Sequence, residues 1–331
     1  MRTKPRGSTC WTKRREKFHH GERHRPTLPV TRVVLPVERD PLTIKPDQPV
    51  IADRDPMRVA SEISEDAGGQ GRGRPVLLLH GNAGFVQDWS AIVPKLAAHY
   101  RVFAFDRPGH GASSRASARH VTPDVQARLI HAALGRLTLE CPIVVGFSWG
   151  GGLSLIYALQ YPGETCGLVL ITPRAFPDEA TRSLAYQLGR TPVLGDIFRH
   201  SVMLPIARRI IRDRLAAGYA PDSPVCEHVA AASDMWSRPG QAEATVWDSR
   251  SLDEALRSCS VRYHEITSPV VIVVGDHDRP DRESISLSRK IPGAELVVIP
   301  RTGHLIPQVR PQAVITAIDA VAARGPAIQR R

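Results

Sequence analysis

A serine lies at the centre of a Gly-x-Ser-x-Gly segment, in which Gly146 and Gly150 flank Ser148 two positions to either side. The β-branched run before this serine and the apolar helical pattern after it predict a strand, a tight turn and a helix. Such a turn projects the serine hydroxyl from the sheet edge, and the glycines let strand and helix approach closely. Ser148 is therefore a candidate nucleophile. A serine turn that only reverses the chain is the alternative.

A candidate acid and a candidate base follow Ser148, each just past a predicted strand. Asp276 and Asp278 follow one strand, and His304 lies in a short loop after the last strand. Serine, then acid, then histidine is one of three known chain orders for a catalytic triad, and it accompanies a serine at a strand–turn–helix. Ligands bind at the carboxyl ends of the strands in open α/β sheets, so we expect these side chains to meet there.

These residue types predict acyl transfer. A serine hydroxyl is a weak nucleophile near neutral pH, so a neutral imidazole must take its proton as it attacks a carbonyl carbon. His304 would do this, while a carboxylate holds its other ring nitrogen and stabilises the imidazolium. The tetrahedral intermediate needs N–H donors for its oxyanion, and water then cleaves the acyl-serine.

The chain resembles the α/β-hydrolase family over about residues 58 to 322. The resemblance implies an α/β-hydrolase fold, in which a mostly parallel, doubly wound sheet carries an inserted helical cap. Four parts of the chain carry it: the His-Gly-Asn loop at 80–82, the Asp-Arg-Pro-Gly-His-Gly loop at 106–111, the serine turn at 146–151, and the loops with Asp278 and His304.

The same resemblance assigns roles to residues around the serine. It implies that the backbone N–H groups of Asn82 and Trp149 form the oxyanion hole. It favours Asp278 as the acid, since the family usually places its acid three residues after the strand-ending glycine. Asp276 is the alternative, read as a turn-capping side chain. His110, in the 106–111 loop, receives no catalytic role.

Asn82 and Trp149 also match the halide-holding residues of haloalkane dehalogenases. Those enzymes use an aspartate nucleophile, whose alkyl ester can be hydrolysed at its carbonyl, whereas an alkyl ether on Ser148 would be a dead end. The serine therefore argues against dehalogenase and epoxide-hydrolase chemistry, and Trp149 is interpreted as an apolar wall beside the acyl site. The serine turn also resembles cofactor-free perhydrolases and carbon–carbon bond hydrolases.

Near-continuous apolar runs alternate with segments of helical spacing, a pattern typical of a parallel sheet covered on both faces. Weaker strand candidates at 42–45 and 57–63 would add antiparallel strands at the edge. The predicted strands are 76–80, 101–105, 142–147, 167–171, 270–275 and 295–299, and the helical segments between them include 90–99, 125–139 and 153–161.

The stretch between Pro173 and Ser268 breaks this alternation. A structureless loop of this length is rare in compact domains, so a helical insertion is expected, with amphipathic stretches at 182–190, 197–217, 225–236 and 242–259. The predicted division is a basic tail at 1–40, a core formed by 41–173 and 268–325, and a cap at 174–267.

Positive charge is concentrated at the start of the chain. Residues 1–32 carry ten Lys or Arg against two Glu, which supplies +8 of the formal +11. A basic segment can bind nucleic acid or an anionic surface, but its low apolar content favours a disordered, non-catalytic tail. No secretory signal is recognised there, no stretch is long enough to cross a membrane, and no pattern predicts a metal or cofactor.

The five cysteines, at 10, 141, 166, 226 and 259, show no metal or disulfide spacing. Cys141 and Cys166 are therefore interpreted as small buried hydrophobes, which predicts a reducing compartment, the cytoplasm.

The predicted function is a serine hydrolase acting on a small, fairly apolar ester or related acyl compound. Perhydrolysis and carbon–carbon cleavage on the same triad remain open, as does a non-hydrolytic ligand receptor on the same scaffold. The substrate and the oligomeric state are not specified by the sequence.

Overall fold

The computed structural model describes residues 61–63, 73–113, 121–178, 213–236, 238–278 and 282–326. The basic tail, the strand candidate at 42–45, the cap stretch at 182–190 and most of the stretch at 197–217 lie outside these residues.

Within the described residues, seven strands form one sheet in the order β1-β3-β2-β4-β5-β6-β7. β1 pairs with β3 antiparallel, and the other neighbours are parallel. The fold prediction is confirmed, and the six main strands lie within one residue of their predicted bounds. They are β1 (Ser61–Ile63), β2 (Pro75–Leu79), β3 (Arg101–Phe105), β4 (Ile143–Phe147), β5 (Gly167–Ile171), β6 (Val270–Gly275) and β7 (Glu295–Ile299).

Helices cover both faces of this sheet, which explains why its central strands are apolar at every position. β4, β5 and β6 are buried along their whole length. The helices are α1 (Val93–Leu96), α2 (Pro123–Arg136), α3 (Trp149–Gln160), α4 (Cys226–Trp236), α5 (Pro239–Cys259), α6 (Arg282–Lys290), α7 (Ile306–Val309) and α8 (Pro311–Arg324), with 3-10 turns at Val86–Trp89 and Tyr263–Glu265; residues 213–219 are also helical.

Two apolar cores lie on the two faces of the sheet. One contains buried side chains of α2, α3, α5 and α6, and the other contains those of α1 and α8. The predicted helices at 225–236 and 242–259 coincide with α4 and α5. Leu252 and Leu256 of α5 are fully buried in the first core, so this helix packs directly on the main domain. The division into core and cap at 174–267 stays a prediction. No helix in the described ranges is long and apolar enough to cross a membrane.

Cys141 and Cys166 form a disulfide, with Cα atoms 4.9 Å apart, so the expectation of two unpaired cysteines is wrong. Cys141 precedes β4 and Cys166 precedes β5. Because these strands are parallel neighbours, their starting points meet although 25 residues separate them. Spacing alone does not reveal this adjacency. Cys259 is a buried free thiol, and burial raises its pKa.

Replacing both Cys141 and Cys166 by alanine is expected to lower the free energy of unfolding by about 3 kcal/mol, because the bond closes a loop that the unfolded chain would otherwise leave open. Urea unfolding of the oxidised protein and the variant measures this difference. Alkylation of the denatured, unreduced protein is the control. Labelling of both cysteines there would show that the bond does not form.

Candidate active site

Ser148 occupies a strained turn between β4 and α3, with φ 53° and ψ −113°. A non-glycine residue in this region is uncommon and is held there by its surroundings. The Ser148 N–H donates to the carbonyl of Ile171 at 2.8 Å. An added Cβ at Gly146 would lie 2.3 Å from Ser154 Oγ, and one at Gly150 would lie 2.2 Å from the Leu79 carbonyl oxygen. Both flanking positions therefore require glycine, as the motif predicts.

Asp278 and His304 are brought together by the parallel pairing of β6 and β7, after which their loops begin. His304 Nδ1 and Asp278 Oδ2 are 2.7 Å apart. This contact uses one ring nitrogen and leaves Nε2 for proton transfer. The His304 ring centroid is 5.1 Å from that of Phe147, the residue before Ser148. The histidine therefore lies beside the serine turn.

Asp276 has other partners. Its Oδ1 accepts from the Thr302 backbone N–H at 3.1 Å and lies 2.7 Å from Nδ1 of the exposed His277. The hydrogen bond from His277 and those from the backbone lower the pKa of Asp276 to about 2. These contacts of Asp276 join residues 276–277 to the 301–302 turn, and the contact to His304 comes from Asp278. This geometry favours Asp278 as the acid.

The loop 80–84 passes next to the serine. An added Cβ at Gly81 would lie 3.3 Å from Ser148 Cβ. The N–H of Asn82 makes no hydrogen bond to a described residue. Trp149 is the first residue of α3, so its N–H has no acceptor within the helix. Two backbone donors are therefore available close to Ser148.

The side chains of Asn82 and Trp149 turn instead toward α5. Asn82 Nδ2 donates to Ser249 Oγ at 2.6 Å and to the Thr245 carbonyl at 3.1 Å. Trp149 Nε1 donates to the Asp248 carbonyl at 2.9 Å. Trp149 is 1% exposed, so its ring is buried, and its interpretation as an apolar wall beside the acyl site stays a prediction. Its indole N–H needs a buried acceptor, which α5 supplies, and neither side-chain donor is left for a halide.

A buried polar cluster beneath this loop was not predicted from the sequence. The Arg107 guanidinium forms an ion pair with Asp248 of α5 and stacks 3.8 Å from the Trp149 ring centroid. His110 Nε2 contacts the same carboxylate at 2.9 Å, and the Gln126 amide donates to its other oxygen at 3.2 Å. The 106–111 motif contributes Arg107 and His110 to this cluster, so the sequence indicates one side of it. Asp248 lies 141 positions further along the chain, and the motif does not indicate this partner.

His80 is fully buried in the same cluster. Burial, the Arg107 charge and His110 hold its pKa well below the usual range, so the imidazole is neutral. Its Nε2 accepts from the Arg107 backbone N–H at 2.9 Å. Nδ1 therefore carries the proton and donates to the Gly81 carbonyl at 2.8 Å.

A second buried contact joins α4 to the 3-10 turn at Val86–Trp89. His228 Nε2 lies 3.0 Å from Asp88 Oδ1, and its Nδ1 lies 2.9 Å from the Tyr219 hydroxyl. Asp88 also accepts from the Phe85 N–H. Both α4 and α5 are thus attached to the segment that follows β2.

Comparison with protein families matches residues 74–311 to the alpha/beta hydrolase fold. The chain belongs to the α/β-hydrolase family. It is 28% identical to 2-hydroxy-6-oxo-2,4-heptadienoate hydrolase of Pseudomonas putida, over 76% of this chain and 89% of that protein. It is also 28% identical to haloalkane dehalogenase 2 of Mycobacterium bovis, over 75% and 88%.

Among solved structures, this α/β hydrolase is similar to a thermophilic esterase from Thermogutta terrifontis. The TM-score is 0.64 and the identity 26%, over 81% of this chain and 94% of the esterase. These three similar proteins are hydrolytic enzymes with different substrates. Membership of the family therefore leaves the substrate open.

Proposed function

We propose that this α/β hydrolase is a serine hydrolase that cleaves a small, fairly apolar ester or related acyl compound. The proposal is carried by the 2.7 Å contact between Asp278 and His304 beside the strained turn of Ser148. A serine, an oriented imidazole and two backbone donors are the parts that acyl transfer to water requires.

In this reaction, Ser148 Oγ attacks the carbonyl carbon as His304 Nε2 takes the hydroxyl proton. The carbonyl oxygen becomes an oxyanion that accepts from the N–H groups of Asn82 and Trp149. The bond to the leaving group then breaks, and the leaving group takes the proton from His304. Water, deprotonated by the same imidazole, cleaves the acyl-serine and releases the acid.

Carbon–carbon bond hydrolysis is the second candidate, because several relatives are named for oxo-dienoate substrates. They include 2-hydroxy-6-oxo-6-phenylhexa-2,4-dienoate hydrolase of Burkholderia cepacia, 26% identical over 71% of this chain and 82% of that protein. On the same residues, the carbonyl would be a ketone. The electron pair of the broken bond would remain on the departing carbon, which would take a proton.

Parallel assays decide between these candidates. The purified protein is incubated with p-nitrophenyl butyrate and with 2-hydroxy-6-oxo-2,4-heptadienoate, each beside the Ser148→Ala variant. Serine-dependent turnover of the ester supports the first candidate, and preferential turnover of the dienoate supports the second. Peroxide-dependent oxidation would indicate perhydrolysis. A compound that raises the melting temperature without being consumed would indicate a receptor.

We propose a small molecule as the partner of this site. The cysteines no longer support the predicted cytoplasmic location. Cytosolic reductants keep most cysteines in the thiol form, whereas Cys141 is bonded to Cys166. Alkylation of the protein isolated from its host under acid quench would decide the location: free thiols at both positions support the cytoplasm.

A further inference from the structure

The Gly81 carbonyl is held by three donors. Arg107 Nη2 donates to it at 2.9 Å, His80 Nδ1 at 2.8 Å and the Gly84 N–H at 3.2 Å. This carbonyl and the N–H of Asn82 belong to one peptide group. Because a trans peptide is planar, its C=O and N–H point in opposite directions. Fixing the Gly81 carbonyl therefore also fixes the direction of the Asn82 N–H.

Arg107 reaches two successive carbonyls of this loop. Its Nε donates to the His80 carbonyl at 3.3 Å, while Nη2 donates to the Gly81 carbonyl. The planar, rigid fork of a guanidinium can hold both at once, which a lysine ammonium cannot do from one position. The side chain is thus suited to set the orientation of the loop rather than only to neutralise a charge.

Asp248 holds this fork from α5. Its carboxylate is fully buried and pairs with Arg107 Nη1, so neither charge is left alone in the interior. The backbone carbonyl of the same residue accepts from Trp149 Nε1. Thr245 and Ser249, on the adjoining turns, accept from the Asn82 side chain. One stretch of α5 therefore touches both residues whose N–H groups are the proposed oxyanion donors.

We infer that Arg107 is a positioning residue of the oxyanion hole and that Asp248 keeps it in place. The inference rests on the proposed serine hydrolase mechanism and extends it to α5. The cluster acts only through the direction of the Asn82 N–H, and no atom of Arg107 needs to touch the substrate.

A misdirected oxyanion donor has a defined kinetic effect. The oxyanion exists in the transition state and not in the bound substrate. Losing a donor to the oxyanion therefore lowers kcat and leaves KM nearly unchanged. Deleting one donor outright lowers kcat by about 10²- to 10³-fold in other enzymes. Misorienting one should lower it by about 10- to 100-fold.

Two variants separate this role from stability. Arg107→Lys keeps the charge opposite Asp248 but loses the fork. The double variant Arg107→Met with Asp248→Leu removes both charges and leaves none buried alone. The matched control is Asp253→Asn, because Asp253 lies on the same helix, is buried, and pairs with Arg174 rather than with Arg107 or the 80–84 loop.

Active sites are counted by titration with a fluorophosphonate. The kcat for p-nitrophenyl butyrate is then expressed per titrated site. The inhibition constant of a trifluoromethyl ketone, whose serine adduct carries an oxyanion, is measured beside KM. We expect both Arg107 variants to lower kcat and to weaken binding of the ketone in parallel, each by about 10- to 100-fold. KM should stay within threefold of wild type, and Asp253→Asn should leave kcat per titrated site unchanged.

A merely structural role would lower the melting temperature and the number of titrated sites, while kcat per site and the ratio of inhibition constant to KM stay at the wild-type values. That result would overturn the inference and leave the proposed function standing. If the fluorophosphonate does not modify Ser148 in the wild-type protein, the proposed function fails and this inference fails with it.

Discussion

Replacing Ser148 by alanine is expected to lower kcat for ester hydrolysis by about 10⁴- to 10⁶-fold, because the reaction then has no nucleophile to form the acyl intermediate. The fold should survive the change. The hydrogen bonds of this residue to Ile171, Gly151 and Arg174 are made by its backbone, and alanine keeps the backbone. Steady-state kinetics with p-nitrophenyl butyrate, with circular dichroism as the folding check, measure the effect.

Ser154→Ala is the matched control for this experiment. Ser154 lies on α3, which begins directly after Ser148, and donates to the Gly150 carbonyl at 2.8 Å. Its loss removes one buried hydrogen bond, so the variant should lose about 1 kcal/mol of unfolding free energy while kcat stays within about threefold, a small effect beside that of losing the nucleophile. A Ser148→Ala variant with activity within tenfold of wild type would show that the nucleophile lies elsewhere.

The second large effect is expected at the acid. Asp278→Asn should lower kcat by about 10³- to 10⁴-fold, because an amide facing His304 Nδ1 stabilises the wrong tautomer of the ring. Nε2 would then carry a proton and could not take one from Ser148. The geometry of the loop is otherwise preserved, so the substrate KM should change little. The kinetics are measured across the pH range in which wild type is active.

Asp276→Asn provides the comparison for the acid, since it makes the same chemical change two residues away. Asparagine retains the oxygen that accepts from the Thr302 N–H, and Asp276 contacts His277 rather than His304. Its kcat should stay within about threefold of wild type, since no oriented imidazole is lost. The reverse order, with Asp276→Asn inactive and Asp278→Asn active, would contradict the assignment.

Local patterns were sufficient for much of the architecture and for the contact between acid and base. Asp278 and His304 could be brought together because each follows a strand, and the ends of parallel neighbours align. The need for glycine at 146 and 150 could be predicted because both glycines approach nearby atoms. These atoms, Ser154 Oγ and the Leu79 carbonyl oxygen, lie within the strand–turn–helix and its neighbouring strand. In each case the pairing follows from strand order.

Pairs of side chains that lie far apart in the sequence could not be predicted from strand order. Asp248 lies on a helix whose amphipathic pattern indicates a buried face but not which charge that face meets. Its pairing with Arg107 depends on how α5 packs against α3, and a local sequence pattern does not specify that packing. The same packing gives the buried Trp149 indole its acceptor on α5, a partner that the serine motif does not indicate. The Cys141–Cys166 bond depends in turn on which strands are neighbours.

The side chains of Asn82 and Trp149 also bear on the reaction. Both match dehalogenase residues by type, yet both donate to α5 instead. With Ser148 in place of an aspartate, the described site has neither the nucleophile nor the free donors for halide release. We therefore expect no halide release from haloalkanes, although a dehalogenase is among the relatives.

Fluorophosphonate labelling followed by peptide mass spectrometry tests the central claim most directly. The reagent forms a stable adduct with a serine that is activated by a base, so it locates the nucleophile without knowledge of the substrate. We predict one adduct per chain, on Ser148, absent in Ser148→Ala and strongly slowed in a variant in which His304 is replaced by alanine. An adduct on another residue, or labelling that persists in Ser148→Ala, would contradict the account.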